Sequence, residues 1–459
     1  MLTWTSSPDA RLSRRAFLRV GSLGGLSLPW LLAQRGTCAA GKDFVKDRSV
    51  VLLFLSGGPS QHETFDPKPE APAEIRTQTG VVQTQLPGVC FGGTFPKLAA
   101  LADKLAIVRS FVSNIGDHPG AARFLQLANG TDGSLRSVYA RLRGAAHPET
   151  GLPTYVQMVD PSKDGQISYY RNILSNGGGP GSLGAGYAPF DPSQPGQLQK
   201  DMTLHLPIER LQERVGLLES LDKLRRDLDA TGVADGMDAF RQQAIDILQR
   251  GVKNAFDVSR ENPRLLERYD TSRFVVARYK SDKALTHPSP LGHQLLLARR
   301  LCEAGVGFVT IGNPSWDMHG GMLEQPVAEG FKDMGPALDH AVSAFIEDVE
   351  ARGLSDKILL IVTGEMGRTP KLNKDGGRDH WANLTPLLLY GGGLKTGQVI
   401  GRSRPSGDVP ATEPYGQEHL LATIAHALFD VGQLRVQRDV PAALLRQIEA
   451  AQPIAEVMP

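Results

Sequence analysis

The sequence predicts an α/β fold, a mostly parallel central sheet sandwiched by helices and carrying a helical insertion. Three observations predict it. Short apolar runs such as "VVLLFL", "VGFVTI" and "ILLIV" are rich in β-branched residues and end at glycine or polar loops, as buried strands do. Amphipathic helical segments lie between them, and that alternation implies a parallel sheet covered on both faces. Gly 50 and Pro 31 in a chain of 459 residues supply the tight loops such a sheet needs at its strand ends.

Taken in order, "RSVVLLFLSGGPSQHETFDP" is a strand running into a Gly-Gly-Pro loop, and "KLAIVRSF" is a second short strand. "HPGAARFLQLANG" reads as a helix that starts after Pro119 and stops at Gly130. From about Pro207 to Lys283 the texture changes to "IERLQERVGLLESLDKLRRDLDA" and "MDAFRQQAIDILQRGVKNAF", apolar at helical spacing with charges between. This is the helical insertion, expected to pack outside the main core. Alternation then resumes. "LGHQLLLARRLCEAG" is a helix, "VGFVTIG" a strand, "GPALDHAVSAFIEDVEARGL" a helix, "KILLIVTGE" a strand, "TPLLLYGGG" a strand and "YGQEHLLATIAHALFD" a helix.

Residues 1–40 read as a twin-arginine signal peptide. Arg14 and Arg15 precede Phe17 and Leu18, a short Gly-rich apolar stretch follows, and small residues close it at "TCAA". The apolar stretch is too short for a membrane span. Export by the twin-arginine translocase to the periplasm or cell surface follows as an expectation. Residues 41–459 form the remaining domain, with Cys90 and Cys302 either bonded or free. A net charge of +1 removes any general electrostatic case for binding nucleic acid.

Polar residues gather at the strand ends. The first strand leads to Ser56, Ser60, His62, Glu63, Thr64 and Asp66. Asp117 and His118 open the next helix, Asp317 and His319 follow a later strand, and Glu365, Arg368, Asp379 and His380 follow the next. In parallel sheets ligands bind beyond the carboxyl ends of the strands. Taken singly, "WDMHGG" reads equally as a turn and "GRDHW" as a surface loop. Their recurrence at consecutive strand ends points to a divalent cation, and these oxygen and imidazole donors suit zinc, calcium, magnesium or manganese. The loop "SNGGGPGSLGAGYAPFDP" reads equally as structural or as a substrate loop with Tyr187 or Phe190 stacking on a sugar.

The order "LDHAVSAFIEDVEARGLSDK", "ILLIVTGE", an Asp-His loop, "PLLLYGGGLKTGQ" and "EHLLATIAHAL" resembles the alkaline phosphatase-like and sulfatase superfamily. The leader, "GGPSQHETFDPKP", "WDMHGG", "GEMGRTPKLN" and "GRDHW" resemble an exported family within it known as a domain of unknown function. The resemblance implies an alkaline phosphatase-like fold and a metal-dependent hydrolase of an anionic phosphate or sulfate ester, such as a sulfated or phosphorylated glycan. The alternative is a non-catalytic binding or structural protein on a degenerate hydrolase scaffold. It implies metal ligands among Glu63, Asp317, His319, Glu365, Asp379 and His380. Met366 falls where a second ligand at Glu365 would be a His, and Ser56 and Gly57 fall where the first strand would supply an Asp. The nucleophile slot holds Gly120, leaving His118, two residues earlier, as nucleophile, local cap or ligand. Arg368 is expected to contact the anionic ester or pair with a ligand carboxylate.

Overall fold

The computed structural model describes residues 44–124, 133–159, 165–192, 253–274, 288–321, 324–437 and 440–459. The chain divides into residues 1–45 and 46–459, and the sheet, its helices and the loops at the strand ends belong to the second unit. The twin-arginine segment lies outside the described residues, as does the helical stretch from Pro207 to Gly251 and from Val275 to Lys283.

Among the described residues the core is one seven-stranded sheet. Its strands are β1 (Ser49–Leu55), β2 (Ala106–Val108), β3 (Tyr155–Val159), β4 (Phe308–Asn313), β5 (Ile358–Thr363), β6 (Leu387–Gly391) and β7 (Gln398–Ile400), in the spatial order β7-β2-β6-β5-β1-β4-β3. β1 pairs in parallel with β4 and β5, β4 with β3, and β2 with β7. β6 alone is reversed, antiparallel to both β5 and β2. This is the mostly parallel sheet that the apolar runs predict.

All seven residues of β1 are buried. Val51, Leu53 and Leu55 share a core with Leu295, Ala298, Phe345 and Val349, which come from the helices α1 (Leu291–Glu303) and α2 (Val327–Ala351). The alternate residues Val50, Leu52 and Phe54 are equally buried, and Phe54 lies against Phe124. Burial on both faces is why this strand reads as an unbroken apolar run rather than an alternating one. Registers Leu55↔Asn313 and Phe54↔Thr363 bring the ends of β1, β4 and β5 level at one edge of the sheet. The loops 56–66, 314–321 and 364–380 therefore leave the sheet side by side.

Two predicted helices differ in the structure. α2 begins at Val327, well before the Gly335-Pro336 pair that reads as a start. Pro336 sits inside the helix, where it lacks one N–H, and Gly335 lets the same turn lie against Thr94. Of the helix expected from Pro119 to Gly130, Pro119–Arg123 is a 3₁₀ turn and Phe124 is extended, while residues 125–130 lie outside the described residues. Phe124 buries its ring against the sheet there, which draws the chain out of a helical course. Cys90 and Cys302 are free. Cys302 is buried on α1, where burial pushes its thiol up to about 12, while Cys90 lies on a two-stranded ribbon, Val81–Gln83 with Cys90–Gly92.

Candidate metal centre

The loop after β1 turns at Gly57 and Gly58, with φ of +113° and +86°. A Cβ on Gly57 would stand 2.6 Å from the Asp317 nitrogen, so glycine is what lets the loop after β4 lie directly on this one. That second loop is anchored by Trp316, buried against Phe331, with its indole N–H donated to Asn313 at 2.8 Å. Ser315 before it takes φ +79°, a left-handed conformation costly for a residue with a side chain. The third loop returns as a short hairpin that pairs His380 with Arg368. Its Gly377 rests on the His319 backbone, where a Cβ would come within 2.0 Å. The glycines of "WDMHGG" and "KDGG" thus let two loops from different strand ends press together.

Asp317 is the centre of what these loops assemble. Its Oδ2 lies 3.1 Å from His118 Nε2, and its Oδ1 lies 2.9 Å from His319 Nε2 and 3.3 Å from His380 Nε2. Each of the three rings turns its other nitrogen onto an oxygen. His118 Nδ1 meets Glu365 Oε1 at 3.0 Å, His319 Nδ1 meets Asp379 Oδ1 at 2.9 Å, and His380 Nδ1 meets the Gly116 carbonyl at 3.2 Å. Those oxygens can each accept an N–H from Nδ1, which in a neutral ring turns the Nε2 lone pair toward Asp317, and His319 Nε2 also takes a bond from Arg368. Three Nε2 atoms thus converge on one carboxylate.

A cation between its members would suit that arrangement. Lone pairs facing a carboxylate repel. Protonating all three rings would only move the problem, because the ring of His380 lies 4.4 Å from that of His118 and 4.7 Å from that of His319. Two imidazolium charges about 4.5 Å apart repel by about 4 kcal/mol at an effective dielectric of about 20. Burial lowers the His118 pKa, but Asp317 and Glu365 outweigh it and raise it to about 9. Burial likewise raises Asp317, and the bonds from His118, His319 and His380, with Arg368 nearby, outweigh that and hold its carboxyl far below the usual range. Glu365 is fully buried, and its Oε2 has no hydrogen-bond partner. A buried, unsatisfied carboxylate oxygen is costly, and positive charge nearby relieves it. The donor set therefore fits a divalent ion. Among the described residues two groups could hold one: His118, Asp317 and His380, or Asp317, His319 and Glu324.

Asp317, His118, His319, His380 and Glu365, all put forward from the sequence, come together here. His118 stands among the nitrogen donors. Glu365 and Asp379 instead hold the far nitrogens of His118 and His319, and Asp379 also accepts from Asn373 at 3.0 Å. Glu63 lies outside the convergence. It is fully buried, pairs with Arg378 at 3.2 Å, and accepts from Ser60 and from the Gln78 N–H, so both its oxygens are engaged away from Asp317. His62 and Asp66 are also engaged elsewhere, with Ser406 and with Lys68 and Arg109.

Arg368 is almost fully buried and cannot reach out to a substrate. It bonds to Asp317 Oδ1 at 2.6 Å, His319 Nε2 at 3.1 Å, the Gly58 carbonyl at 2.8 Å, the Arg378 carbonyl at 3.1 Å and the Gly57 carbonyl. This burial turns the guanidinium inward, away from the expected contact with an anionic ester, and pairs it with the Asp317 carboxylate. Glu324 was missed. The signal was available, an acidic residue five positions after His319 in the same Gly-containing loop. The Gly116 carbonyl had no signal, because any residue carries one.

A family model described as "Protein of unknown function (DUF1501)" matches residues 47–437. The chain belongs to the DUF1501 family. Solved structures similar to this DUF1501 chain include three enzymes. The lipoteichoic acid synthase LtaP from Listeria monocytogenes has 10% identity and a TM-score of 0.37, over 88% of this chain and 78% of that one. A sulfatase from Pseudoalteromonas sp. has 12% and 0.32, over 83% and 68%. A phosphonate monoester hydrolase from Silicibacter pomeroyi has 13% and 0.32, over 83% and 73%. Curated protein sequences give no match.

Proposed function

We propose that this DUF1501 protein is an exported, metal-dependent hydrolase of a phosphate or sulfate ester. One observation carries the reading: three histidines whose Nδ1 atoms are held by oxygen acceptors and whose Nε2 atoms converge on Asp317. In this reading His118, His380 and Asp317 hold the ion, with His319 beside them, while Glu365, Asp379 and the Gly116 carbonyl orient the rings. A divalent cation there would polarise the ester and lower the pKa of water.

The chain offers no side-chain nucleophile in the expected slot. A Cβ on Gly120 would meet Ile115 Cγ2 at 2.8 Å, Arg123 Nη2 at 3.0 Å and Asp117 Oδ1 at 3.1 Å. The reaction proposed is therefore direct attack of water on phosphorus or sulfur, without a covalent enzyme intermediate. The ester oxygen leaves as the alcohol, carrying a proton. Export rests on the Arg14-Arg15 leader, and among the described residues no helix is long and apolar enough to cross a membrane.

Arg368 favours a second reading. Its guanidinium already sits on Asp317 and His319, so the loops are partly charge-compensated without an ion. A binding protein on a degenerate hydrolase scaffold would keep that feature. One set of measurements separates the two. The hydrolase reading expects bound divalent metal by elemental analysis, a melting temperature lowered by chelator, and saturable hydrolysis of an aryl phosphate or sulfate. Metal-free protein indifferent to chelator leaves only the binding reading.

A further inference from the structure

The helix Gly165–Gly177 packs on the turn that carries His118. At its end Gly177 rests on Ala122, where a Cβ would come within 2.5 Å of the carbonyl oxygen, and Arg136 donates to the Gly177 carbonyl at 2.7 Å. This contact fixes where the helix presents Tyr169 and Tyr170. Tyr170 is buried, with its ring 5.4 Å from that of His118 and nearly perpendicular to it. Tyr169 lies 5.4 Å from Tyr170 and 6.5 Å from His118, and it is 43% exposed. The exposed large apolar side chains among the described residues are Val81, Tyr169 and Val436, so this aromatic ring stands open to solvent at the rim of the candidate metal centre. Partial burial, with the carboxylates of Asp117, Glu365 and Asp317 adding to it, raises the pKa of its phenol.

The two aromatic residues of the glycine-rich loop do not fill this place. Phe190 extends the sheet, with its N–H on the Tyr155 carbonyl at 3.0 Å and its carbonyl accepting from Gln157 at 2.9 Å, and its ring packs on Phe256. Tyr187 closes a 3₁₀ turn, Ala185–Tyr187, and is partly covered.

We propose that Tyr169 is a stacking platform for the ring of a ring-borne ester, holding that ring at the rim while its anionic group enters the Asp317 centre. The inference rests on the hydrolase reading for the anionic group, and the exposed ring supplies the other half of the substrate. A flat aryl ring and the C–H face of a sugar share the chemistry that an open tyrosine recognises. Tyr169 is a positioning residue here. Its ring acts on substrate binding and leaves the ion alone.

The test is equilibrium binding to the purified full chain of three probes that cannot be hydrolysed: methylphosphonate, phenylphosphonate and a phosphonate analogue of glucose 6-phosphate. Expected is binding of at least one ring-bearing probe about tenfold tighter than methylphosphonate, the order of stacking on an exposed aromatic. Tyr169→Ala should erase that preference while leaving methylphosphonate affinity and metal content unchanged, and Tyr169→Phe should keep it. The better of the two ring probes identifies aryl or sugar. A ring preference that survives Tyr169→Ala, or is absent from the parent while metal and methylphosphonate both bind, overturns the platform and leaves the hydrolase reading standing. A parent that binds neither metal nor any phosphonate overturns both.

Discussion

Removing the guanidinium of Arg368 should cost stability before it costs anything else. The side chain is 1% exposed and serves the carbonyls of Gly57, Gly58 and Arg378, together with Asp317 and His319. Truncation to alanine leaves at least three carbonyls without this donor and takes one charge from a buried ion pair. Breaking a buried pair costs about 3–5 kcal/mol, and each orphaned buried acceptor adds about 1–3 kcal/mol before the loops relax. Taking about 4 kcal/mol as the net, and an unfolding entropy of about 2 cal/mol/K per residue over about 400 residues, the melting temperature falls by about 5 °C. Arg368→Lys keeps the charge but has no planar fork to reach Gly57, Gly58 and Asp317 together, so it should lie between alanine and the parent. The assay is thermal melting of parent, alanine and lysine forms in excess chelator, which removes any contribution from a bound ion. An alanine form that melts within about 1 °C of the parent would refute the clamp role worked out from these contacts.

Three further outcomes are expected. His380→Asn should abolish stoichiometric metal binding, whereas Glu365→Gln, at a residue that meets the far nitrogen of His118 and the Gly57 N–H, should weaken it by about 10–100-fold; equal losses in a metal titration would erase the distinction between ligand and orienting residue. His62 is fully buried and donates towards the Ser406 carbonyl, and burial, with Arg378 adding to it, pulls its pKa down to about 4. Its contribution to stability is therefore complete above the unfolded value of about 6.5 and is lost as pH falls through about 4, by up to about 3 kcal/mol. His62→Gln should flatten that acid limb in urea unfolding at about pH 7 and about pH 4.5, and an unchanged slope counts against it. Lysine at both Arg14 and Arg15 should stop secretion, because the paired guanidinium is read by shape as well as charge; export of the double-lysine form at the parent level would remove the twin-arginine expectation.

The elements of this protein were set locally, and the sequence alone determined most of them. β1, β4, β5 and β6 are legible because a strand covered on both faces is apolar along nearly its whole length. The glycines of "SGG" and "HGG" and the polar residues beside them mark strand ends for the same local reason. β3 and β7 were passed over, since "YVQMV" carries a glutamine and "QVI" is too short to show a period. What only the tertiary structure decided is the destination of each polar side chain. His118 meets Asp317 and Glu365 across 199 and 247 residues of chain, and Glu63 meets Arg378 across 315. Nothing local separates Glu63, which a buried arginine neutralises, from Glu365, which holds a histidine ring. Both are acidic residues in a loop after a strand. The difference arises because sheet register brings three strand ends level, and the close approach of glycine backbones then settles which loops touch. A carboxylate's role follows from the partner that this packing sets against it.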